Sequence, residues 1–180
     1  PYIPYARQDR VCNPGEPLSV AVVASLINAM NFEYVVVMDP HSDVASALIK
    51  EARIIDQHEF LSENTEVFDR EKTVLIAPDA GALKKVYKAA SALGFKHVLT
   101  ASKKRDLSNG QITDTELFVP EQYRSGYKFL VLDDICDGGR TFVELGKVLK
   151  AQIDPSSEVL LYVTHGIFTK GYDELKKYYN

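Results

Sequence analysis

Short apolar runs alternate with amphipathic stretches along the chain, and this alternation constrains the fold more than any other feature. Consecutive parallel strands need a crossover connection, which is usually a helix. Strand–helix alternation therefore predicts an α/β fold with parallel sheets flanked by helices. The first apolar run, with three valines in a row, reads as a fully buried strand. The predicted strands are residues 34–38, 73–77, 97–101, 129–132 and 159–163.

Helical spacing of apolar residues is clearest in residues 80–93, and Gly94 is expected to end that helix. Pro17 suits the first turn of an earlier helix. The predicted apolar face of the 80–93 helix is Leu83, Val86, Tyr87, Ala90 and Leu93. Shorter helices are predicted at 43–50, 141–149 and 171–179.

Two polar segments interrupt this pattern. Residues 57–69 are weakly periodic and indicate a connection between two lobes, at 1–56 and 57–180. Residues 102–113 are predicted to form a loop, in which Asn109-Gly110 is a turn signal.

Bulk properties exclude several classes of function. The net charge is −4, so no basic field would attract nucleic acid. No apolar run approaches the roughly 20 residues that cross a bilayer, and residues 1–10 do not resemble a signal peptide. The two cysteines, Cys12 and Cys136, suit a reducing compartment, so we expect a cytoplasmic protein.

Ligand sites in open parallel sheets lie at the carboxyl ends of the strands. The polar and glycine-rich residues of this chain fall at those predicted positions, which indicates a site there. The five places are residues 39–42, 78–81, 102–105, 133–141 and 164–166.

The segment 133–141 carries the strongest chemical pattern. Asp133 and Asp134 end a predicted strand, and carboxylates accept hydrogen bonds from a ribose diol. Gly138-Gly139 allows close backbone approach, and Thr141 opens a helix whose free N–H groups can hold a phosphate. A capped turn with flexible glycines is the alternative interpretation.

This segment resembles the ribose-phosphate loop of type I phosphoribosyltransferases and, more closely, that of the ribose-phosphate pyrophosphokinase family. Five further segments resemble motifs of the second family in the same order. They are residues 4–10, 38–42, 78–81, 103–105 and 164–166. The resemblance implies a phosphoribosyltransferase-like fold.

The resemblance also implies an enzyme: a ribose-phosphate diphosphokinase that transfers diphosphate from ATP to ribose 5-phosphate with Mg²⁺. It implies catalytic roles for Lys103 and Arg105, although a Lys-Lys-Arg run is more often a solvated basic loop. It also implies self-association into a homo-oligomer. The ribose 5-phosphate ligands would be Asp133, Asp134, Asp137, Gly138, Gly139, Arg140 and Thr141.

The nucleotide and metal roles rest on weaker segments. Arg7, Gln8 and His41 would contact ATP, and an exposed turn is the alternative for the first two. His41, Asp39 and Asp79 would contact Mg²⁺, directly or through water, because Mg²⁺ keeps several waters. Asp79 also suits a helix N-cap, and both roles can hold.

The sequence departs from the family in three ways. Compared with that family, the chain lacks an N-terminal part and a C-terminal end, which leaves the activity of this chain alone open. The loop has Gly138, Gly139 and Arg140 where the family has Thr, a small residue and Gly. Two rival functions follow: a type I phosphoribosyltransferase that consumes phosphoribosyl pyrophosphate, and a non-catalytic regulatory relative of the synthetase.

Overall fold

The computed structural model describes residues 2–63, 68–105 and 112–180, apart from the side chains of residues 104, 105 and 112–114. Contacts divide the chain into two units, Pro1–Phe60 and Leu61–Asn180. The change between units falls inside helix α3 (Gln57–Ser62), which begins directly after the boundary predicted at residue 56. Within the described ranges, no helix has the length and apolar character needed to cross a membrane.

The first unit contains a two-stranded parallel sheet, β1 (Val35–Met38) and β2 (Ala52–Ile55), with helices α1 (Ser19–Ala29) and α2 (Asp43–Leu48). The prediction of a fully buried strand at 34–38 is wrong. Val37 is buried but Val36 is 39% exposed, because the apolar core of this unit covers one face of the strand. No strand is predicted at β2, since Arg53 interrupts its apolar pattern.

The second unit is built on a four-stranded sheet in the order β4-β3-β7-β8, with every pair parallel. The predicted α/β class with parallel strands is confirmed. The strands are β3 (Thr73–Ala77), β4 (His97–Thr100), β7 (Lys128–Cys136) and β8 (Val159–Gly166). The predictions at 129–132 and 159–163 are too short, because both strands continue through polar residues.

Helices cover both faces of this sheet, as predicted. Val74 and Ile76 of β3 pack in the cluster that contains α5 (Arg140–Lys150). Leu75 and Ala77 alternate to the other face and pack with α4 (Leu83–Leu93). Alternate side chains of β3 therefore point into two separate cores, one on each face of the sheet.

Helix α4 ends at Gly94, as predicted, and Gly94 takes the left-handed conformation (φ 79°) that glycine favours. The predicted start at residue 80 is wrong. Asp79 Oδ1 accepts hydrogen bonds from Gly81 N–H and Ala82 N–H, so a capped turn precedes the helix. Tyr87, expected on the apolar face, is 56% exposed.

The prediction of a loop at 102–113 is also wrong. Residues on either side of 106–111 form an antiparallel pair, β5 (Ser102–Arg105) and β6 (Ile112–Glu116). The predicted Asn109-Gly110 turn lies outside the described residues. Gln152 holds the chain after β6, since its amide group bonds the backbone of Leu117 and Val119.

The C-terminal segment closes over α5. Residues 171–179 contain a 3-10 helix, Leu175–Lys177, instead of the predicted α-helix. Tyr179 O–H donates to the Phe142 carbonyl at 2.7 Å. Gly146 permits this approach, because a Cβ there would lie 2.5 Å from Tyr178 Cβ.

Candidate active site

The carboxyl edge of the four-stranded sheet brings several predicted site residues of the second unit into one neighbourhood. Strand β7 pairs with β3 only as far as Val131, and continues beside β8 to Cys136. Asp133 and Asp134 therefore lie within β7, which continues beyond the predicted strand end at residue 132. The extra length of β7 carries both carboxyl groups beyond the last paired residue of β3.

Lys103 and Asp79, from two separate predicted motifs, are joined directly. Lys103 Nζ lies 2.7 Å from Asp79 Oδ2, while Asp79 Oδ1 caps the turn after β3. Asp79 therefore caps the turn, which is one of its two expected roles, while its second carboxylate oxygen contacts Lys103. The side chain of Arg105, the second predicted catalytic residue, lies outside the described part of the chain.

The ionisation of Asp79 reflects these contacts. Burial raises its pKa, but the hydrogen bond and the charge of Lys103 lower it, as do the N–H groups of Ala82 and Gly81. The net effect holds the pKa of Asp79 below its ordinary value. Asp79 is thus an anion at neutral pH with a cation beside it.

Asp133 and Asp134 form a closely coupled acidic pair. Asp134 N–H donates to Asp133 Oδ1 at 2.9 Å. Burial, the charge of Asp134 and a hydrogen bond with its side chain raise the pKa of Asp133, although the Asp134 N–H opposes this. Asp134 also pairs with Lys85 of α4, at 3.7 Å between Nζ and Oδ2. Asp133 and Asp134 can accept hydrogen bonds from the hydroxyls of a sugar diol, while Lys85 contacts Asp134 from α4.

The loop between β7 and α5 is braced by the segment that follows β8. Thr169 Oγ donates to Asp137 Oδ1 at 2.9 Å, and Thr169 N–H donates to the Asp137 carbonyl. A Cβ on Gly138 would lie 3.7 Å from the Lys170 side chain, which is ordinary contact. Gly139 caps α5 in the left-handed conformation (φ 75°), so glycine is favoured there.

Arg140 and Thr141 occupy the first turn of α5, where backbone N–H groups have no partner inside the helix. An anion is stabilised at such a position by those N–H groups and by the helix dipole. Arg140 is exposed and Thr141 partly buried. The arrangement offers donors for a phosphate close to acceptors for a sugar.

Cys136 and His165 lie next to this loop on β7 and β8. Cys136 is buried, and burial together with the charges of Asp133 and Asp137 raises the pKa of its thiol to about 11. A protonated thiol is a poor nucleophile, so Cys136 is assigned a packing role rather than a reactive one. His165 is a partly buried residue near the end of β8, opposite Ile135 of β7.

The first unit holds the remaining predicted ligands. Asp39, directly after β1, is 3% exposed and has a left-handed backbone (φ 39°), and its N–H donates to the Ile55 carbonyl at 2.8 Å. His41 is partly buried two residues later. Ser42 Oγ is buried without a hydrogen-bond partner among the described residues. An unsatisfied hydroxyl beside Asp39 and His41 is consistent with a ligand at this strand end.

Arg7 and Gln8 are exposed on a turn that is anchored from beneath by the buried side chains of Ile3 and Ala6. The Gln8 carbonyl accepts from Val20 N–H at the start of α1. The turn is thus held to its own unit while its two polar side chains face solvent.

The predicted Mg²⁺ contacts are Asp39 and His41 in the first unit and Asp79 in the second. Among the described residues, no group of three or more His, Cys, Asp or Glu side chains is arranged to hold a metal. Mg²⁺ prefers oxygen and is held by one or two carboxylates with several waters. Asp39, three residues before the unsatisfied Ser42 hydroxyl, can supply one such carboxylate. Asp79 already contacts Lys103 through one of its carboxylate oxygens.

Comparison with known proteins decides the family. A sequence model of the phosphoribosyl transferase domain matches residues 43–180, which contain every predicted site residue except Arg7, Gln8, Asp39 and His41. The chain belongs to the phosphoribosyl transferase domain family. The matched residues include the whole four-stranded sheet and the 133–141 segment. The predicted phosphoribosyltransferase-like fold is confirmed.

Relatives extend the similarity over almost the whole chain. Ribose-phosphate pyrophosphokinase from Sulfurisphaera tokodaii is 29% identical over 170 residues, covering 93% of this chain and 56% of the relative. The enzyme of that name from Pyrococcus furiosus is 27% identical over 173 residues, covering 95% and 58%. The resemblance predicted from six motifs is confirmed, and the chain spans about half the length of these curated relatives.

A solved structure agrees on the fold. The crystal structure of phosphoribosylpyrophosphate synthetase from Mycobacterium smegmatis has a TM-score of 0.81 and 24% identity, and the match covers 99% of this chain and 56% of that one.

Sequence reasoning missed three residues that contact the predicted site, namely Lys85, Thr169 and Lys170. Lys85 lies on the sheet side of α4, and its position next to Val86 of the apolar stripe is the one signal that could have identified it. Thr169 and Lys170 carry no local signal, because their approach to Asp137 and Gly138 depends on tertiary structure.

Proposed function

We propose that this protein transfers the β,γ-diphosphoryl group of ATP to the 1-hydroxyl of ribose 5-phosphate, giving phosphoribosyl pyrophosphate and AMP. In this reaction a bond forms between the sugar O1 and the β-phosphorus, and the bond from the β-phosphorus to the α,β-bridging oxygen breaks. AMP leaves with that oxygen, and the proton of the 1-hydroxyl is released.

The reach of the similarity carries the proposal. The phosphoribosyl transferase domain begins at residue 43, but the pyrophosphokinase relatives match 93–95% of the chain, including most of the segment before it. That segment contains Arg7 and Gln8, the expected ATP contacts. A protein that only joins a base to phosphoribosyl pyrophosphate has no need for a nucleoside triphosphate there.

The acceptor would bind at the end of β7. Asp133 and Asp134 accept from the vicinal hydroxyls of the sugar. Gly138, Gly139 and Thr141 surround its 5-phosphate with N–H and hydroxyl donors, and Arg140 adds a charge-assisted bond. The bond from Thr169 to Asp137 supports this role, because it fixes the loop before any ligand arrives.

Lys103 would act on the donor. Phosphoryl transfer depends mostly on positioning and charge neutralisation. An ammonium held 2.7 Å from Asp79 is already oriented at the sheet edge, and it can exchange this partner for a phosphate oxygen. Arg105, two residues along β5, is proposed to share this role.

Asp39 and His41 in the first unit, and Asp79 in the second, are each proposed as Mg²⁺ contacts, directly or through water. When bound, Mg²⁺ would neutralise charge on the diphosphate that is transferred. The chain's own part is to provide oxygen donors and to hold Lys103 beside Asp79. Homo-oligomer formation is proposed from the same resemblance, and a cytoplasmic location is proposed from the two cysteines.

The direct test incubates purified protein with ATP, Mg²⁺ and ribose 5-phosphate and measures AMP by chromatography. AMP should form only when all three are present. A folded, magnesium-loaded protein that releases no AMP would exclude the proposed reaction.

A base phosphoribosyltransferase is the second candidate, because the matched domain carries that name. It predicts release of pyrophosphate from phosphoribosyl pyrophosphate when a nucleobase is added, without ATP. A regulatory relative predicts neither reaction but retains nucleotide binding. The same preparation, assayed for AMP, pyrophosphate and ATP binding, separates the three functions.

A further inference from the structure

Lys85 of α4 supplies a cation to the acidic pair on β7. Its Nζ lies 3.7 Å from Asp134 Oδ2, and the Asp134 side chain is only 6% exposed, whereas that of Lys85 is 26% exposed. A carboxylate buried to this extent is costly unless a charge or hydrogen-bond donor compensates it. Lys85 is therefore a cation that offsets part of the cost of burying the Asp134 carboxyl group at the end of β7.

We propose that Lys85 is a positioning residue for the ribose 5-phosphate site: by holding Asp134, it orients Asp133 toward the vicinal hydroxyls of the sugar. This inference rests on the proposed function. Lys85 itself need not touch the sugar, since it acts through Asp134.

The first physical reason is geometric. Asp133 Oδ1 accepts its hydrogen bond from the backbone N–H of Asp134, at 2.9 Å. Asp134 is in turn tied to α4 through its carboxylate. The side chains of Asp133 and Asp134 also share a hydrogen bond. The orientation of the Asp133 side chain thus depends in part on the Asp134 carboxylate, which Lys85 contacts from the neighbouring helix. A hydroxyl-binding carboxylate must be placed to within a few tenths of an ångström to give a good hydrogen bond.

The second reason is electrostatic. Ribose 5-phosphate arrives as an anion, and the carboxylates of Asp134 and nearby Asp79 would repel it. Lys103 compensates Asp79 at 2.7 Å, and Lys85 compensates Asp134. With both lysines in place, the charges of Asp79 and Asp134 oppose the sugar phosphate less strongly.

Isothermal calorimetry with two sugars tests this role. Ribose 5-phosphate and 2-deoxyribose 5-phosphate differ only in the 2-hydroxyl, so their affinity ratio reports the diol contact. The measurement uses Mg²⁺ and a non-hydrolysable ATP analogue throughout, with wild type, Lys85→Met and Lys85→Arg. Lys84→Met is the matched control, because Lys84 is the adjacent, exposed lysine of the same helix.

Wild type should bind ribose 5-phosphate about tenfold more tightly than the deoxy sugar, the value of one hydrogen bond to a charged group. Lys85→Met should bring this ratio close to one, while Lys85→Arg and Lys84→Met keep it. A partly unfolded sample lowers the active fraction for both sugars equally, so the ratio separates positioning from loss of structure.

Two adverse outcomes are distinguishable. If wild type discriminates and Lys85→Met discriminates equally well, the role of Lys85 is wrong and the proposed function stands. If wild type does not discriminate, or binds neither sugar, the proposed diol site fails and the role of Lys85 falls with it.

A pair of variants covers the case in which Lys85→Met does not fold. Asp134→Asn, alone and combined with Lys85→Met, lacks the buried carboxylate, so neither protein leaves it uncompensated. Because Lys85 acts through Asp134, the two proteins should give the same affinity ratio. A lower ratio in the double variant would overturn the proposal, since Lys85 would then act without Asp134.

Discussion

Lys103 Nζ and Asp79 Oδ2 lie 2.7 Å apart, so the lysine expected to stabilise the transferring phosphates is held by a carboxylate of the adjacent turn. The two residues come from motifs 24 positions apart in the sequence. Strand β5 carries Lys103 to the turn that follows β3, and the ion pair holds the lysine there until a ligand competes for it.

Replacing Lys103 by Met should lower kcat about 100-fold or more, the usual cost of losing one preorganised transition-state donor. The KM for ribose 5-phosphate should change by no more than about threefold, because the contact matters mostly in the transition state. Lys96→Met, an exposed lysine beyond α4, is the control. Equal effects on kcat and KM would contradict the assigned role.

The pH dependence of stability should carry a signature of Asp133. Burial and the charge of Asp134 raise its folded pKa to about 8, while the unfolded group titrates near its ordinary value of 3.8. Between these pH values the folded state binds more protons, so this contribution is complete below about pH 4 and is lost as the pH rises through 8.

Asp133→Asn removes this titration. Urea unfolding at pH 5 and pH 8 should show wild type losing more stability than the variant over that interval. Parallel behaviour of the two proteins would mean that Asp133 is not held in its protonated form.

Adjacent glycines of the phosphate loop should respond in opposite ways to serine. Gly138 is outside the left-handed region and a Cβ there meets Lys170 at 3.7 Å, so Gly138→Ser fits and adds a hydroxyl. Ribose 5-phosphate should then bind more tightly, by up to about tenfold. Gly139 has φ 75°, so Gly139→Ser should cost about 1–2 kcal/mol of stability.

Calorimetry and thermal unfolding of both variants measure these effects. An unchanged affinity in a stable Gly138→Ser protein would place the 5-phosphate elsewhere.

The two cysteines should differ in reactivity. Cys12 is exposed, whereas Cys136 is buried with its thiol pKa raised to about 11. A thiol reagent at neutral pH should label Cys12 alone in the folded protein, and both cysteines after denaturation. Rapid labelling of Cys136 in the folded state would contradict its assignment as a packing residue.

Local patterns predicted the second unit better than the first. Strand β3 occupies the predicted residues 73–77, and Gly94 ends α4, because an apolar run buried on both faces and a left-handed cap are local signals. The 102–113 segment was misassigned, since Lys103 and its neighbours are polar and pair only with a strand ten residues later. Strand β7 was cut short because its last residues are carboxylates.

The candidate site shows the same limit. The sequence predicted that Asp79, Lys103 and the 133–141 segment lie at one edge of the sheet, because each follows the end of a predicted parallel strand. Periodicity did not predict the contact of Lys85 with Asp134, which depends on how α4 packs against β7. Residues tied together by tertiary contacts need the fold before their roles can be assigned.

Phosphorus NMR of a mixture of ATP, Mg²⁺, ribose 5-phosphate and the purified protein tests the central claim most directly. The proposed reaction predicts that the three ATP signals decrease together while AMP and the diphosphate signals of phosphoribosyl pyrophosphate increase in equal amounts. Formation of ADP with a phosphorylated sugar, or an unchanged spectrum from folded protein, would contradict it.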